Sequence, residues 1–258
     1  MILIAASNSS TQSKKRADYI CSGVQDEIVI QSVINSFSDL GGEIQLSEGD
    51  FYFTDTFPYR NVPISIKGEG FKTTVLNFSG QDVCMLPGLS WVIKDIEIKG
   101  GDSICGIKFT PEVYYCLVAR VFISGVTNYG IQMLSGNSQN IFKEVIVRGS
   151  PLYGFKLYGV SNQFYSCEAM RSGYGGIAGF NINLTGGLFN GCIAEDYEVG
   201  FRLDNYSDRI TITHPHCEDC GYDFELAGST NPPTGIRVFG GYHGGMVNNP
   251  NADILFYD

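Results

Sequence analysis

A short pattern of apolar residues recurs through the middle of the chain. It reads apolar-x-x-apolar-x-apolar, and its copies end at Ile98, Ile123, Val147, Ala169, Ala194 and Cys217. These residues are 25, 24, 22, 25 and 23 positions apart. Alternation with a period of two is typical of a strand with one buried face. A repeat this short cannot bury its own apolar face, so the copies are expected to stack into a solenoid with a continuous core.

A second pattern follows each copy. It reads Gly-apolar-x-apolar and occurs as GIKF at Gly106, GIQM at Gly130, GFKL at Gly154, GFNI at Gly179, GFRL at Gly200 and GYDF at Gly221. Each repeat thus holds short strands broken by turns, whereas a propeller blade needs about 40–45 residues. We predict an all-β protein, a single-stranded right-handed parallel β-helix in which equivalent residues lie about 4.8 Å apart along the axis.

The whole chain is predicted to be one domain, with a helical cap at its N-terminal end and no cap at its C-terminal end. Residues 1–40 are expected to hold a first strand and a capping helix at 24–37, whose apolar positions are Val24, Ile28, Val33, Ile34 and Phe37. Such a helix covers the open end of a solenoid, and coils are expected over 41–258. The last residues, NADILFYD, predict a strand with Ile254 and Phe256 inward. Because no cap follows, we expect a longer polypeptide or a covering partner.

Charge and hydropathy exclude several functions. The net charge of −10 argues against nucleic-acid binding, which needs a basic surface, and against binding to anionic membranes. No stretch approaches the roughly 18 apolar residues of a membrane span. The first residues, MILIAASNSS, are too short an apolar run for a signal peptide and have no basic region before them. No cofactor is predicted.

Eight cysteines raise the question of disulfides. A disulfide framework is typical of small secreted chains that lack a core, and this chain has ample apolar residues for one. The repeat places Cys167 and Cys192 in one inward column. We therefore predict reduced thiols that act mainly as small packing residues.

The candidate catalytic residues are four carboxylates. The segments IAEDYEVGF and HCEDCGYDF place Glu195 and Glu218 at matching positions, and likewise Asp196 and Asp219. Stacking would set each pair about 5 Å apart, near the separation in retaining glycosidases, and diagonal pairs would reach that of inverting ones. Close like charges raise the pKa of one carboxyl, as a general acid requires. A solvated acidic edge or a cation site are the alternatives.

Candidate substrate-binding residues come from a polar outward column in the second pattern. The column contains Lys108, Gln132, Lys156, Asn181, Arg202 and Asp223. Such a stripe can hold sugar hydroxyls or carboxylates along an extended chain, although an ordinary solvated sheet face is the alternative. His216, outward beside the acids, is a further candidate for substrate contact.

The stretch HPHCEDC also contains potential zinc ligands, namely His214, His216, Cys217 and Cys220. Adjacent strand residues point to opposite faces, so an inward Cys217 and an outward His216 cannot converge on one ion without a break in the strand. No metal site is predicted.

A second outward column is apolar. Phe122, Ile146 and Ile193 occupy equivalent outward positions. An exposed apolar row often marks an interface, so a homo-oligomer is predicted, with a trimer as the expected assembly. Cover by a long turn of the same chain is the alternative.

The N-terminal residues also carry a family resemblance. ADYICSGVQDEIVIQSVINSF, GGEIQLSEGDFYF and ISIKGEGFKTTVLNF follow one another over about the first 80 residues. This order resembles the pectate-lyase-like superfamily of right-handed parallel β-helices, especially phage tail spikes and surface polysaccharide-active proteins. The Asn-Thr-Asp, Asp-Asp and Gly-His-Gly motifs of polygalacturonases are missing.

The resemblance implies a partner rather than a particular reaction. It implies a glycan-recognising protein of a virion or cell surface, which also cleaves the glycan if the four carboxylates form a site. A structural surface module without catalysis is the main alternative, and a polysaccharide lyase or epimerase is a weaker one.

Overall fold

The computed structural model describes residues 1–149, 151–173, 175–227, 231–241, 246–247 and 253–257. The chain forms a right-handed parallel β-helix of about eight turns, which confirms the predicted fold. Strands of successive turns pair in parallel, and one apolar core runs along the axis. No helix in the described part of the chain is long and apolar enough to cross a membrane.

Helices occupy only the N-terminal region of the described residues. They are α1 (Thr11–Arg16) and α2 (Glu27–Ser36). The strands are β1 (Ile2–Ala5), β2 (Tyr19–Ile20), β3 (Gly42–Leu46), β4 (Gly49–Phe53), β5 (Ile64–Lys67), β6 (Thr74–Phe78), β7 (Val83–Met85), β8 (Val92–Phe109), β9 (Leu117–Met133), β10 (Ile141–Gly149), β11 (Tyr153–Val160), β12 (Gln163–Tyr165), β13 (Glu168–Arg171), β14 (Ala178–Thr185), β15 (Leu188–Asn190), β16 (Ile193–Glu195), β17 (Val199–Leu203), β18 (Thr211–Thr213), β19 (His216–Glu218), β20 (Tyr222–Leu226), β21 (Ile236–Phe239), β22 (Met246–Val247) and β23 (Ile254–Tyr257).

Each turn presents three faces. Face 1 includes β12, β15, β18 and β21; face 2 includes β4, β6, β13, β16 and β19; face 3 includes β11, β14, β17 and β20. The long strands β8 and β9 bend around all three faces. Val147, Ala169, Ala194 and Cys217 are direct partners on face 2, which confirms the register predicted from the first pattern.

One residue in the left-handed conformation turns the chain from face 1 to face 2. Asp95, Arg120 and Glu144 occupy this corner in three successive turns, with φ of 60°, 50° and 53°. The Arg120 guanidinium donates hydrogen bonds to both carboxylate oxygens of Asp95. These bonds raise the pKa of Arg120. Opposite charges therefore stack at the corner, where equivalent residues of neighbouring turns meet.

The glycine of the second pattern faces the interior. A Cβ on Gly154 would lie 2.4 Å from the Cβ of Ala169, and one on Gly179 would lie 2.7 Å from the Cβ of Ala194. The last side chain of the first pattern, such as Ala169 or Ala194, already fills the space beside this glycine. The facing position on face 3 must therefore be a residue without a side chain. The core beside it contains stacked rings, at Phe142, Phe164 and Phe189 and again at Phe155, Phe180 and Phe201.

The last glycine copy has a different register from the predicted one. Gly200 follows Ala194 by six positions, and strand pairing keeps this interval in the next turn, where it leads from Cys217 to Asp223. Asp223 lies beside Gly200 and is 5% exposed. The prediction that Asp223 points outward is therefore wrong. Glu225 pairs with Arg202 and takes that outward position.

Cysteine fills interior positions, as predicted. All eight cysteines are free thiols, and only Cys220 is not fully buried. Burial raises the pKa of Cys21 to about 12 and that of Cys84 to about 11. Thiols held in the neutral form are poor nucleophiles, so Cys21 and Cys84 act in packing rather than in redox chemistry.

The predicted capping helix corresponds to α2. Ile30, Val33 and Ile34 are buried in the same core as the first strands. Val24 and Ile28, which the periodicity assigned to the apolar side, are instead 67% and 62% exposed. The helix begins only at Glu27, so Val24 precedes it and Ile28 lies in its solvent-facing first turn.

The sequence pattern does not predict α1, which has no buried residue and hence no apolar periodicity. Polar groups hold its first turn instead. The Glu48 carboxylate accepts hydrogen bonds from the Ser10 N–H at 2.8 Å and from the Ser13 hydroxyl at 2.7 Å. Burial acts to raise the pKa of Glu48, but these bonds outweigh it and lower the pKa to about 2.

The C-terminal strand has the predicted orientation. Ile254 and Phe256 pair with the inward residues Ile236 and Val238. Ile254 packs against the core, while Phe256 is 39% exposed and contacts the Phe224 ring edge-on. Residues 251–252 and 258 of the predicted strand lie outside the described residues.

Candidate functional site

Two glutamates from neighbouring turns meet at the edge of face 2. Glu195 ends β16 and Glu218 ends β19, and the two residues are direct partners in the parallel pairing. Parallel strands place such partners about 4.8 Å apart. The structure therefore brings this half of the predicted acidic site together.

Asp196 and Asp219 follow the two glutamates on the turn towards face 3. Both have a left-handed backbone, with φ of 63° and 51°. Aspartate adopts this conformation more readily than most residues, so it suits the end of a short strand. The Asp196 carboxylate accepts a hydrogen bond from the Gly173 N–H at 3.3 Å. The aspartates thus shape the turn and add negative charge beside the glutamates.

The electrostatics single out Glu195. Partial burial raises its pKa, and the negative charges of Glu218, Asp196 and Asp219 raise it further, while Arg148 opposes them. A carboxyl that keeps its proton at higher pH, next to a carboxylate, is the arrangement that glycoside hydrolysis requires.

His216 contributes to this edge beside Glu218. Its Nε2 lies 3.5 Å from a Glu218 oxygen, and both side chains are more than half exposed. His214 instead occupies the corner between faces 1 and 2, and Cys217 is buried in the core. Among the described residues, no three His, Cys, Asp or Glu side chains are arranged to hold a metal ion.

The predicted binding column lies on face 3. Strand pairing aligns Lys108, Gln132, Lys156, Asn181, Arg202 and Glu225 in successive turns. The four predicted binding residues of this column therefore share one line along the axis, while His216 lies on face 2.

Two members of the column are held by an aspartate that the sequence reading missed. The Asp204 carboxylate accepts hydrogen bonds from Asn181 at 2.8 Å and from Arg202 at 3.0 Å. Arg202 also lies 3.4 Å from Glu225. Burial disfavours the charged guanidinium, but Asp204 and Glu225 outweigh it and raise the pKa of Arg202. The signal was available, because Asp204 directly follows the GFRL copy.

Lys156 belongs to an aromatic cluster that the column pattern also missed. Its Nζ lies 5.3 Å from the Tyr129 ring centre and 5.0 Å from that of Tyr153. The two rings stack at 5.8 Å, and burial raises the pKa of Tyr153. Each tyrosine directly precedes a pattern glycine, so the motif could have been extended to include it. Stacked rings beside ammonium and amide groups suit a sugar, which has apolar ring faces and polar edges.

The outward apolar column is partly covered by the chain itself. Phe122, Ile146 and Ile193 occupy one line on face 2 and are half-buried. Phe71, from an earlier turn of the same chain, stacks on Phe122 with ring centres 6.3 Å apart. The predicted homo-oligomer stays a prediction.

Comparisons with known proteins identify the fold. No protein-family model matches the sequence, and no curated protein does. Among solved structures, an alginate lyase from Paenibacillus sp. str. FPU-7 is 14% identical over 92% of this chain and 97% of its own, with a TM-score of 0.60. The enzymatically active domain of bacteriophage CBA120 tailspike protein 2 is 14% identical, with a TM-score of 0.65. That match covers 90% of this chain and 44% of the tailspike chain.

The pectate lyase Pel9A gives a third match. It is 14% identical over 97% of this chain and 78% of its own, with a TM-score of 0.61. An alginate lyase, a tailspike domain and a pectate lyase thus share the fold described above, and identities this low concern architecture alone. By its fold, the chain is a pectate-lyase-like right-handed parallel β-helix.

Proposed function

We propose that this protein binds a polysaccharide along the β-helix and hydrolyses it at Glu195 and Glu218. The observation that carries the proposal is the pairing of these glutamates on adjacent strands, together with the raised pKa of Glu195. The alginate lyase and pectate lyase structures support a glycan as the ligand, because these two proteins of the same fold are named for their action on polysaccharides.

The geometry favours hydrolysis with retention. Partners about 4.8 Å apart lie close to the roughly 5–5.5 Å between the two carboxyl groups of retaining enzymes. A Glu218 oxygen would bond to the anomeric carbon as the bond from that carbon to the glycosidic oxygen breaks, and Glu195 would give its proton to that oxygen. In the second step Glu195 takes a proton from water, the water oxygen bonds to the anomeric carbon, and the bond to Glu218 breaks.

Face 3 would hold the sugar units beside the reacting one. In this proposal Lys108, Lys156 and Arg202 offer donors along the axis, and His216 contacts the substrate on face 2. Asn181, predicted as a binding residue, is 2% exposed and donates to Asp204, so it holds that carboxylate in place. Tyr129 and Tyr153 add a stacking surface next to Lys156. The ligand would be a surface glycan, which places the protein outside a cell or on a virion, and the tailspike structure supports that location.

A structural module without catalysis is the second candidate. The half-buried apolar line of Phe122, Ile146 and Ile193 favours it, because such a line can pack against further copies of the chain. In that case the protein would form a trimer through face 2. A lyase or epimerase is the weaker alternative and would place the chemistry on face 3.

A glycan array followed by product analysis tests the proposal. The parent protein should release new reducing ends from a glycan that it binds, and Glu195→Gln should lower this rate by about 10²- to 10⁴-fold, the usual contribution of a general acid. Glu198→Gln is the matched control, since Glu198 is exposed on the same turn but outside the pair. Binding without cleavage by the parent would favour the structural module, and equal rates for Glu195→Gln and the parent would move the active site elsewhere.

A further inference from the structure

A polar cavity lies on face 2 near the N-terminal end, far from the acidic pair. Its volume is about 510 Å³, the scale of a small-ligand site, and its walls include Asp50, Lys72, Thr73, Val75, Glu97 and Lys99. Asp50, Val75 and Glu97 are strand partners in three successive turns, so the cavity follows the helix axis.

Glu97 is the unusual residue of this cavity. It is 5% exposed, and within the described residues its carboxylate forms no hydrogen bond. The nearest cation is the Lys99 ammonium at 3.8 Å, which is beyond hydrogen-bond distance. A carboxylate removed from water needs donors to offset its desolvation, and here the open side is the cavity. Glu97 therefore presents unused acceptors to whatever enters.

The other charged side chains of the cavity wall differ in how many hydrogen-bond donors or acceptors they leave free for a ligand. The two carboxylate oxygens of Asp50 already accept hydrogen bonds, from Asn8 at 2.8 Å and from Asn77 at 3.1 Å. Lys72, also in the wall, forms no ion pair with any described residue. The cavity thus offers one carboxylate with free acceptors and two ammonium groups with free donors.

An aromatic surface adjoins these polar groups. Phe71 directly precedes Lys72, is 44% exposed and stacks on Phe122. Phe122 is the strand partner of Glu97 in the next turn. A flat apolar surface beside a few convergent donors and acceptors is the combination that recognises a pyranose ring and its hydroxyl groups.

We propose that this cavity binds one neutral, hydroxyl-rich sugar unit of a polysaccharide. Adjacent hydroxyls would donate to Glu97 and accept from Lys72 and Lys99, while the ring packs against Phe71. The charges of Asp50, Glu97, Lys72 and Lys99 cancel, so the wall offers no net attraction to an acidic sugar. This inference rests on the glycan binding of the proposed function, but not on cleavage.

The position of the cavity extends the binding surface. Glu97 and Ile193 share one outward column, four turns apart, and Ile193 precedes Glu195 by two residues. At about 4.8 Å per turn the cavity lies roughly 19 Å from the acidic pair. Because the acidic pair lies at the edge of face 2 towards face 3, a glycan that crosses this edge from face 3 and continues along face 2 would reach both places.

The test uses the full chain on an array of neutral glycans (glucans, galactans, mannans) and acidic ones (alginate, polygalacturonate). Affinity for the best-bound glycan is then measured by calorimetry with its soluble oligosaccharides. Glu97→Gln and Lys72→Gly should each weaken binding by about 10- to 100-fold, the effect of losing hydrogen bonds to a charged group. Lys72 has a φ of 68°, which glycine adopts readily, so that variant should fold. Glu112→Gln, an exposed turn variant, is the control.

The outcomes separate this inference from the proposed hydrolysis. Parent-like affinity in both variants, binding of acidic glycans only, or no binding at all would overturn the cavity assignment. Release of reducing ends from the same glycans is scored separately. Glu97-dependent binding without any release would contradict the hydrolysis alone, and release with Glu97-independent binding would contradict the cavity alone.

Discussion

Acidic residues of neighbouring turns meet on two faces of this molecule, with opposite results. On face 2, Glu195 and Glu218 are partners, and among the described residues only His216 lies within ion-pair distance of either. On face 3, Asp204 and Glu225 share the Arg202 guanidinium, at 3.0 and 3.4 Å. The two negative charges of face 3 share one positive charge between them, whereas those of face 2 repel one another and raise the pKa of Glu195.

The difference between the acidic residues of face 2 and face 3 follows from the way the turns of the β-helix stack. A parallel β-helix sets equivalent residues about 4.8 Å apart, so any column of like charges is unfavourable unless a cation interrupts it. The corner of Asp95, Arg120 and Glu144 follows this rule, as Arg202 does on face 3. A pair that lacks the cation is where acid–base chemistry is expected, because close carboxyl groups take different protonation states.

Removing the cation from face 3 should give the largest change in stability. Arg202→Met leaves Asp204 and Glu225 without their partner, and we expect the free energy of unfolding to fall by about 1–2 kcal/mol, between the values for exposed and buried ion pairs. Urea denaturation measures this change. Lys108→Met, in the same column but without a described ion pair, is the control and should stay within about 0.5 kcal/mol. Equal stability of the two variants would remove the proposed contrast between the faces.

The sequence predicts which residues of neighbouring turns become strand partners, because the repeat interval determines the pairing. Glu195 and Glu218 are 23 residues apart, the same interval as Ala194 and Cys217, so their pairing can be read from the pattern. The same interval applied to Gly200 leads to Asp223. The motif GYDF at Gly221 suggested a different register, which the strand pairing overrides.

Contacts made by turns could not be predicted in this way. The contact of Phe71 with Phe122 joins residues two turns apart, and no local pattern determines how a turn folds back over a face. The cavity around Glu97 depends on that same turn, through Lys72. A strand periodicity specifies which side chains point outward but not what covers them.

A third carboxylate extends the comparison to acid stability. Glu48 is surrounded by donors and its pKa is lowered to about 2, whereas Glu195 is surrounded by acids and its pKa is raised. A lowered pKa means that the unfolded chain binds more protons, so the contribution of Glu48 is present above its ordinary pKa of 4.5 and is lost as the pH falls towards 2. A raised pKa has the opposite sign, so the charge on Glu195 destabilises the fold as the pH rises above 4.5.

We therefore expect Glu48→Gln to lower the melting temperature at pH 6 by a small amount, and to reduce the further loss that the parent shows between pH 4.5 and pH 2. Thermal melts followed by circular dichroism across this range check it, with the exposed Glu112→Gln as the control. Parallel melting curves for Glu48→Gln and the parent would show that the hydrogen bonds to α1 do not depend on this charge.

The central claim is that the charge of Glu218 contributes to the raised pKa of Glu195, and a pH titration of the Glu195 carboxyl carbon by NMR tests it most directly. In the parent, the pKa of Glu195 should lie above its ordinary value of 4.5. In Glu218→Gln it should fall below the parent value but stay raised, because burial, the largest cause, persists. In Glu198→Gln it should equal the parent value. A pKa at or below 4.5 in the parent, or the same pKa in the parent and Glu218→Gln, would contradict the account.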